Sequence, residues 1–429
     1  MIVIDELYGA IDIPEYLAPI INSPEFQRLR DVRLINMFST SLASLSDIRR
    51  LTHTLGVMGL FLRLKPRFLK MASFDKNLCR TMEVACLVHD IATPAFAHLF
   101  EWELRGKTGW NHETQCESIV KGHYSRQNKF HQIYFKNQLS LNQRIRNLDV
   151  DPDKVWQIIR GDGQFGRLLC GTIDLDNIDN VIRMYNALGL GNNVPEIFSI
   201  VDSLIPYPES IGFKREAYPA ILWWIQARKK CYDLIVFDEQ TLSAQAMLGQ
   251  IIAQAIDAGY LDEGHWYLTD DQLLYKLLQF KSGKGIIKRL AVGNTYAVLG
   301  IYWYDFDQEI ADELGSEKLR EQISNQIKND LKLPCYLYYF VDKGTFEKRI
   351  DLMFGDSLEN SENVSLGKQS HSMVIGILTP SQNDKAIANA RKRITQIFES
   401  MLPKKPIRRN LPLIKSYYNG TEYQKELSI

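Results

Sequence analysis

The 429-residue chain has no long apolar run, no net charge and no paired-cysteine motif, and each absence removes a class of function. No stretch approaches the roughly 20 uninterrupted apolar residues of a membrane span. Met1 to Tyr8 carries acids where an export signal would place basic residues and then an apolar run. A cytoplasmic protein outside the membrane is therefore expected. Lysine plus arginine equals aspartate plus glutamate at 51 each, so no global field draws the chain to nucleic acid or to an anionic membrane. Nucleic acid stays a minor alternative, through the basic cluster Lys404, Lys405, Arg408 and Arg409, whose plainer reading is a solvated connector broken by Pro403, Pro406 and Pro412. Cys79, Cys86, Cys116, Cys170, Cys231 and Cys335 form no CxxC pair, which argues against a zinc knuckle or a disulfide framework. Ser282-Gly283-Lys284-Gly285 lacks the upstream glycine of a P-loop.

What remains is an ordinary folded composition, 45% hydrophobic and 24% charged, in a chain long enough to form two lobes. From Asp47 to about Lys288 apolar residues recur at helical spacing, as in Leu51, Leu55, Met58 and Leu62. After Gly293 the pattern changes to short aromatic and β-branched runs, Tyr296 to Tyr304, Cys335 to Val341 and Met373 to Leu378, followed by a helical run from Lys385 to Met401. The expected fold is mainly α, with a helical core over 1–290 and a smaller α+β lobe over 291–429. The Ser/Asn/Glu-rich stretch Gly355 to Ser372 reads as a mobile loop.

Histidine is scarce, eight in all, yet His53, His89, His98 and His112 fall within about sixty residues, with Asp90 directly after His89. His53 lies mid-helix, and His89-Asp90 closes the apolar run Val84-Ala85-Cys86-Leu87-Val88. At a helix terminus the backbone can turn so that adjacent His and Asp side chains converge on one ion, and a divalent metal then neutralises the buried carboxylate. A further carboxylate is available in the acid-rich helix start that holds Asp174, Asp176 and Asp179. Mixed imidazole and carboxylate donors suit manganese, iron, nickel, zinc or cobalt, with magnesium less favoured. Thr93-Pro94 reads as a helix start, which would set His98 and Glu101 on one helical face, and Asn111 reads as the cap of a helix whose first turn holds His112. Imidazoles and a carboxylate beside a metal site are what phosphoryl transfer to water needs.

These residues resemble the HD-domain phosphohydrolases, and within them the deoxynucleoside triphosphate triphosphohydrolases. The resemblance is carried by Asn22-Ser23-Pro24-Glu25-Phe26-Gln27-Arg28-Leu29-Arg30, by Arg50 with His53-Thr54-Leu55-Gly56-Val57, by His89-Asp90 and His98, by Trp110-Asn111-His112-Glu113, and by Ile173-Asp174-Leu175-Asp176. It extends more weakly through Tyr232 and Leu268-Thr269-Asp270-Asp271. It implies an HD-type helical core and one divalent metal ion on His53, His89, Asp90 and Asp176. His112, Glu101 and His98 would be the catalytic groups, and Arg50 and Tyr232 would bind substrate. It further implies a small-molecule nucleotide substrate and a homo-oligomer built from dimers.

Where these relatives carry a catalytic histidine the chain has Thr93, and where they read phosphate and sugar it has Asn177, Asn180, Met184 and Leu34. Asn22 replaces the acid that recognises guanine in their regulatory site, so activation by GTP is not expected. The leading expectation is hydrolysis of a phosphate ester or anhydride in a nucleotide or nucleotide-like molecule. The competing one is a catalytically silent nucleotide sensor or regulatory subunit that keeps the metal.

Overall fold

A computed structural model describes residues 1–36, 38–123, 138–207, 211–306, 308, 311, 314, 317–347, 349–355, 360–367, 370–401, 406 and 408–409. The chain opens with an antiparallel hairpin of β1 (Ile2–Asp5) and β2 (Gly9–Asp12), in register from Ile2 opposite Asp12 to Asp5 opposite Gly9. Asp5 shapes the turn, because its Oδ1 accepts the amides of Leu7 at 2.9 Å and Tyr8 at 3.0 Å.

Nine helices matter for the site and its supports. They are α1 (Arg50–Phe68), α2 (Lys76–Val88), α3 (His98–Thr108), α4 (His112–Lys121), α5 (Leu175–Ala187), α6 (Tyr218–Val236), α7 (Glu239–Asp257), α8 (Asp270–Gln279) and α9 (Asp384–Glu399). Their starts follow local chemistry. Asp75, Asn111 and Asp174 each accept the amide three residues on, at 2.7, 2.8 and 2.6 Å, and so satisfy N–H groups a helix start leaves open. Thr93-Pro94 does not start a helix, contrary to expectation: the Thr93 hydroxyl is turned to Asp90, the chain runs on through turns, and α3 begins only at His98.

One large core joins the hairpin (Leu7, Ile11), α1 (Val57, Phe61), α2 (Val84, Leu87), α5 (Val181, Ile182) and α6 (Ile221, Trp224). Each fully buried side chain of this size contributes about 1.5–3 kcal/mol of transfer free energy. A second cluster packs Phe96 and Leu99 against Met247 and Ile251 of α7 and Leu273 of α8.

Two four-stranded sheets follow. One has the order β10 (Arg408–Arg409), β5 (Ala297–Asp305), β9 (Ser370–Thr379), β6 (Tyr336–Glu347), all antiparallel. Both its faces are covered. Leu299, Tyr302 and Tyr304 meet Ile394 and Phe398 of α9, while Val298, Ile301 and Trp303 meet Val236 and Leu242. The register shift between Val298 and Gly300 changes the phase of the alternation, so Leu299 and Ile301, two residues apart, serve opposite faces.

The other sheet has the order β3 (Leu204–Pro206), β4 (Ile211–Phe213), β7 (Ile350–Phe354), β8 (Glu362–Leu366), and β4 runs parallel to β7. Ile350, Leu352, Phe354 and Leu366 join the large core, so this late hairpin crosses the 290/291 division suggested by the pattern. β8 also lies inside the 355–372 stretch read as a loop: exposed Asn363 and Ser365 alternate with Val364 and Leu366 in a strand paired with β7 from Ile350–Leu366 to Phe354–Glu362. Arg408 and Arg409 are strand residues facing Trp303 and Tyr302, whereas Lys404 and Lys405 fall outside the described residues. All six cysteines are free, and among the described residues no helix is long and apolar enough to cross a membrane.

Candidate active site

The site is assembled from the middle of α1, the end of α2 and the start of α5. His53 is fully buried on α1. Its Nε2 lies 2.9 Å from Asp176 Oδ1 and 3.8 Å from Asp90 Oδ2. His89 occupies the C-cap of α2 and donates from Nδ1 to the Cys86 carbonyl at 2.9 Å. That bond leaves its Nε2 lone pair facing inward, 3.6 Å from Asp90 Oδ2 and 3.9 Å from Asp176 Oδ1, buried and without a hydrogen bond. Asp90 Oδ2 accepts Arg50 Nη1 at 2.7 Å, and its Oδ1 accepts the Thr93 hydroxyl at 3.0 Å.

These donors suit a divalent ion. Atoms about 2.0–2.2 Å from a first-row metal stand about 3.0–3.5 Å from one another, so the observed spacings need shifts of well under an ångström. An orphaned buried imidazole nitrogen beside two carboxylates is itself an arrangement that a cation resolves. Asp176, 37% exposed, forms the open side. Burial alone would raise Asp90, but the charges of Arg50, His89 and His53 outweigh it and hold the carboxyl well below its usual range. Burial alone would lower His53; hydrogen bonds to Asp176 and Asp179 outweigh it and raise the imidazole to about 9.

A second cluster sits beside the first. Glu101 is 7% exposed; its Oε2 meets His98 Nδ1 at 3.1 Å and its Oε1 meets His112 Nδ1 at 2.7 Å. It also accepts the His112 amide at 3.2 Å. Burial would raise Glu101, but the bonds from His112 and His98 outweigh it and hold it well below the carboxylate range. Burial would lower His112, and Glu101 reverses this and raises it. The pair thus favours a charged carboxylate and a more strongly held imidazole proton. Asp90 and Arg50 both act on the His112 proton, and the Cys116 thiol of α4 reaches the Val88 and His89 carbonyls, so the two clusters adjoin.

The link between them is strained. Phe96 and Ala97 both have left-handed φ, 53° and 47°, unfavourable for residues with a Cβ. The turn is held from outside: Asp270 Oδ1 accepts the Phe96 amide at 2.8 Å, and Arg28 donates to the Ile91 carbonyl at 3.0 Å and to the Thr93 carbonyl. Asp270 in turn binds Arg33 through the same carboxyl group, at 2.9 Å to the amide and 3.0 Å to Nη1.

The substrate residues read from the sequence fall differently. Arg50 is 8% exposed and spends Nη1 on Asp90 and Nη2 on the Leu34 carbonyl at 3.0 Å, so the structure places it behind a carboxylate of the box instead of at an open phosphate contact. Tyr232 lies under the Arg228 guanidinium, 5.0 Å from its ring centroid. Arg228 Nη1 reaches Asn177 Oδ1 at 3.2 Å, one residue from Asp176. Lys229 pairs with Asp233 at 3.2 Å. Four supports escaped the sequence reading: Thr93 on Asp90, Asp270 and Arg28 on the turn, and Asp179 on His53. Nothing in local pattern marks them, because each acts through a contact distant in sequence or reads as a helix start.

No family model matches the chain. An uncharacterized protein of Methanocaldococcus jannaschii is 26% identical over 302 residues, 70% of this chain and 59% of that protein. The deoxynucleoside triphosphate triphosphohydrolase SAMHD1 of Gallus gallus is 31% identical over 150 residues, 33% of this chain and 24% of that enzyme. The chain thus matches under two thirds of the length of either relative. A phosphohydrolase of Bacteroides thetaiotaomicron shares the fold, with a TM-score of 0.65 at 15% identity over 88% of this chain and 99% of that one. The chain is thus similar in fold to a phosphohydrolase and, over part of its length, in sequence to deoxynucleoside triphosphate triphosphohydrolases, and its His53, His89 and Asp90 are grouped closely enough to hold a metal ion. A homolog of the SAMHD1 triphosphohydrolase in Dictyostelium discoideum is 29% identical over 121 residues, 26% of this chain and 23% of that protein.

Proposed function

We propose that the chain is a metal-dependent phosphohydrolase acting on a nucleotide or nucleotide-like phosphate ester or anhydride. The observation that carries this reading is the adjacency of two clusters, His53, His89, Asp90 and Asp176 on one side and His98, Glu101 and His112 on the other. A divalent ion held by the first four would supply Lewis acidity toward a phosphoryl oxygen. Arg50 and Thr93 keep the Asp90 carboxylate ionised and oriented. Glu101 turns both imidazoles so that their Nε2 atoms are left for substrate, and protonated His112 offers a proton to the departing oxygen. His98, 71% exposed, stands at the mouth. Arg228, over the Tyr232 ring and one residue from Asp176 through Asn177, adds positive charge to the same side of the site.

A second reading, a nucleotide sensor without turnover, is favoured by one observation. Leu34 and Met184, which stand where the triphosphohydrolases resembled here read the sugar, are buried apolar residues, 3% and 0% exposed. A release screen over nucleotides with added manganese, scoring phosphate, pyrophosphate and triphosphate, separates the two. Turnover lost in His112→Ala supports hydrolysis; tight nucleotide binding without release from any substrate supports the sensor. The homo-oligomer implied by the resemblance belongs to this proposal too, and light scattering of the purified chain reads it.

A further inference from the structure

The Nδ1 side of His53 is occupied by a buried chain of charges that the chemistry above does not use. Asp179 Oδ2 accepts His53 Nδ1 at 2.7 Å and Arg183 Nε at 2.6 Å. Arg183 Nη2 donates to Asp5 Oδ2 at 2.6 Å, and Asp5 belongs to the N-terminal hairpin. Asp179 and Arg183 are both 0% exposed and Asp5 is 4%. The Tyr8 ring lies 5.6 Å from the guanidinium and covers it from the hairpin turn. On α1, Gly56 sits one turn beyond His53, and a Cβ there would overlap both the Arg183 guanidinium and the Asp179 carboxylate. The helix therefore keeps a notch for this chain of charges.

We infer that Asp179, fixed by Arg183 and through it by Asp5, is a positioning residue that aims His53 Nε2 into the metal box, so that docking of the N-terminal hairpin sets metal affinity. An imidazole can present one nitrogen to an ion only if its other nitrogen carries the proton and has somewhere to place it. Asp179 provides that acceptor, and its negative charge strengthens the imidazole as a donor. Arg183 Nε fixes the Asp179 carboxylate, and Asp5 supplies the counter-charge that lets a guanidinium remain fully buried. The plainer role, a staple that only holds the hairpin to the core, predicts lost stability with unchanged metal affinity.

The inference rests on the metal reading of the box, and the test separates the two. Manganese binding to the metal-stripped full chain is measured by calorimetry for the wild type, Asp90→Ala, Asp179→Asn and Asp5→Asn, with the cobalt-substituted absorption spectrum and the melting temperature recorded for each. In Asp179→Asn the amide cannot accept from His53 and Arg183 as one carboxylate does, and affinity is expected to fall roughly 10- to 100-fold. Asp5→Asn, which touches no residue of the box, is expected to weaken binding several-fold and to shift the cobalt spectrum in the same direction. It carries the test should Asp179→Asn fold poorly. Equal affinities and superimposable cobalt spectra in Asp179→Asn and Asp5→Asn, with only the melting temperature lowered, would overturn the inference. A wild type that binds no ion, like Asp90→Ala, would instead remove the metal reading on which it stands.

Discussion

Replacing Glu101 with glutamine tests the acid–base half of the site. The carboxylate accepts three hydrogen bonds, at 3.1 Å from His98 Nδ1, 2.7 Å from His112 Nδ1 and 3.2 Å from the His112 amide. Glutamine is nearly isosteric but has one acceptor oxygen, so one imidazole would face an N–H₂ group, and the charge that strengthens the hold of His112 on its proton disappears. Two effects follow together. Loss of a positioned proton donor costs about 10²- to 10⁴-fold in rate, equivalent to about 2.7–5.4 kcal/mol of barrier. The alkaline limb of the pH–rate profile, which reports loss of the His112 proton, moves to lower pH, because Glu101 is what raises that imidazole. The assay is kcat/KM against pH for the best substrate, with the His112 ring titrated by NMR in both proteins. Activity within threefold of the wild type and an unmoved alkaline limb would refute the assignment of His112 as proton donor.

Burial, against the pull of Arg320 and Lys107, pushes Glu103 on α3 up to about 7. The folded protein thus binds that proton more tightly than the unfolded chain does, and stability falls as pH rises from about 4.5 to about 7, by order 1–3 kcal/mol. Denaturant melts of Glu103→Gln should show that gain at pH 8 and none at pH 4. Ala97, at φ 47° and ψ −124°, should tolerate glycine with a gain of about 1 kcal/mol, read as a raised melting temperature; a fall would mean the turn is not strained. Because the hydrogen-bonded His53 holds its proton to about pH 9, an ion must displace it, so apparent metal affinity should rise about tenfold per pH unit between pH 6 and 8. A flat profile in metal titrations over that range would contradict the protonation state given to His53.

The box itself was legible in the sequence because its signal is concentration: scarce histidines gathered on one side of the chain, at positions where helical spacing turns them inward. The fold class was legible for a similar reason, since the period of the apolar residues changes near Gly293. Supports at long range were not. Asp179 lies three residues after Asp176 and reads as an acid complementing a helix start, yet its partners, His53, Arg183 and through it Asp5, come from three separate segments. Thr93-Pro94 carries every local mark of a helix start, yet the Thr93 hydroxyl is spent on Asp90 three residues before it, and Arg28 and Asp270 hold the chain in turns from distant segments. β8 was hidden because a strand with one open face need not be apolar, and the sheet it extends is completed only by the parallel junction of β4 with β7, some 140 residues apart.

The most direct test of the account is metal content and phosphate release measured side by side on the wild type and Asp90→Ala. The account predicts close to one divalent ion per chain and metal-dependent release for the wild type, with both lost in the variant. Full activity in Asp90→Ala with its metal content unchanged would contradict it.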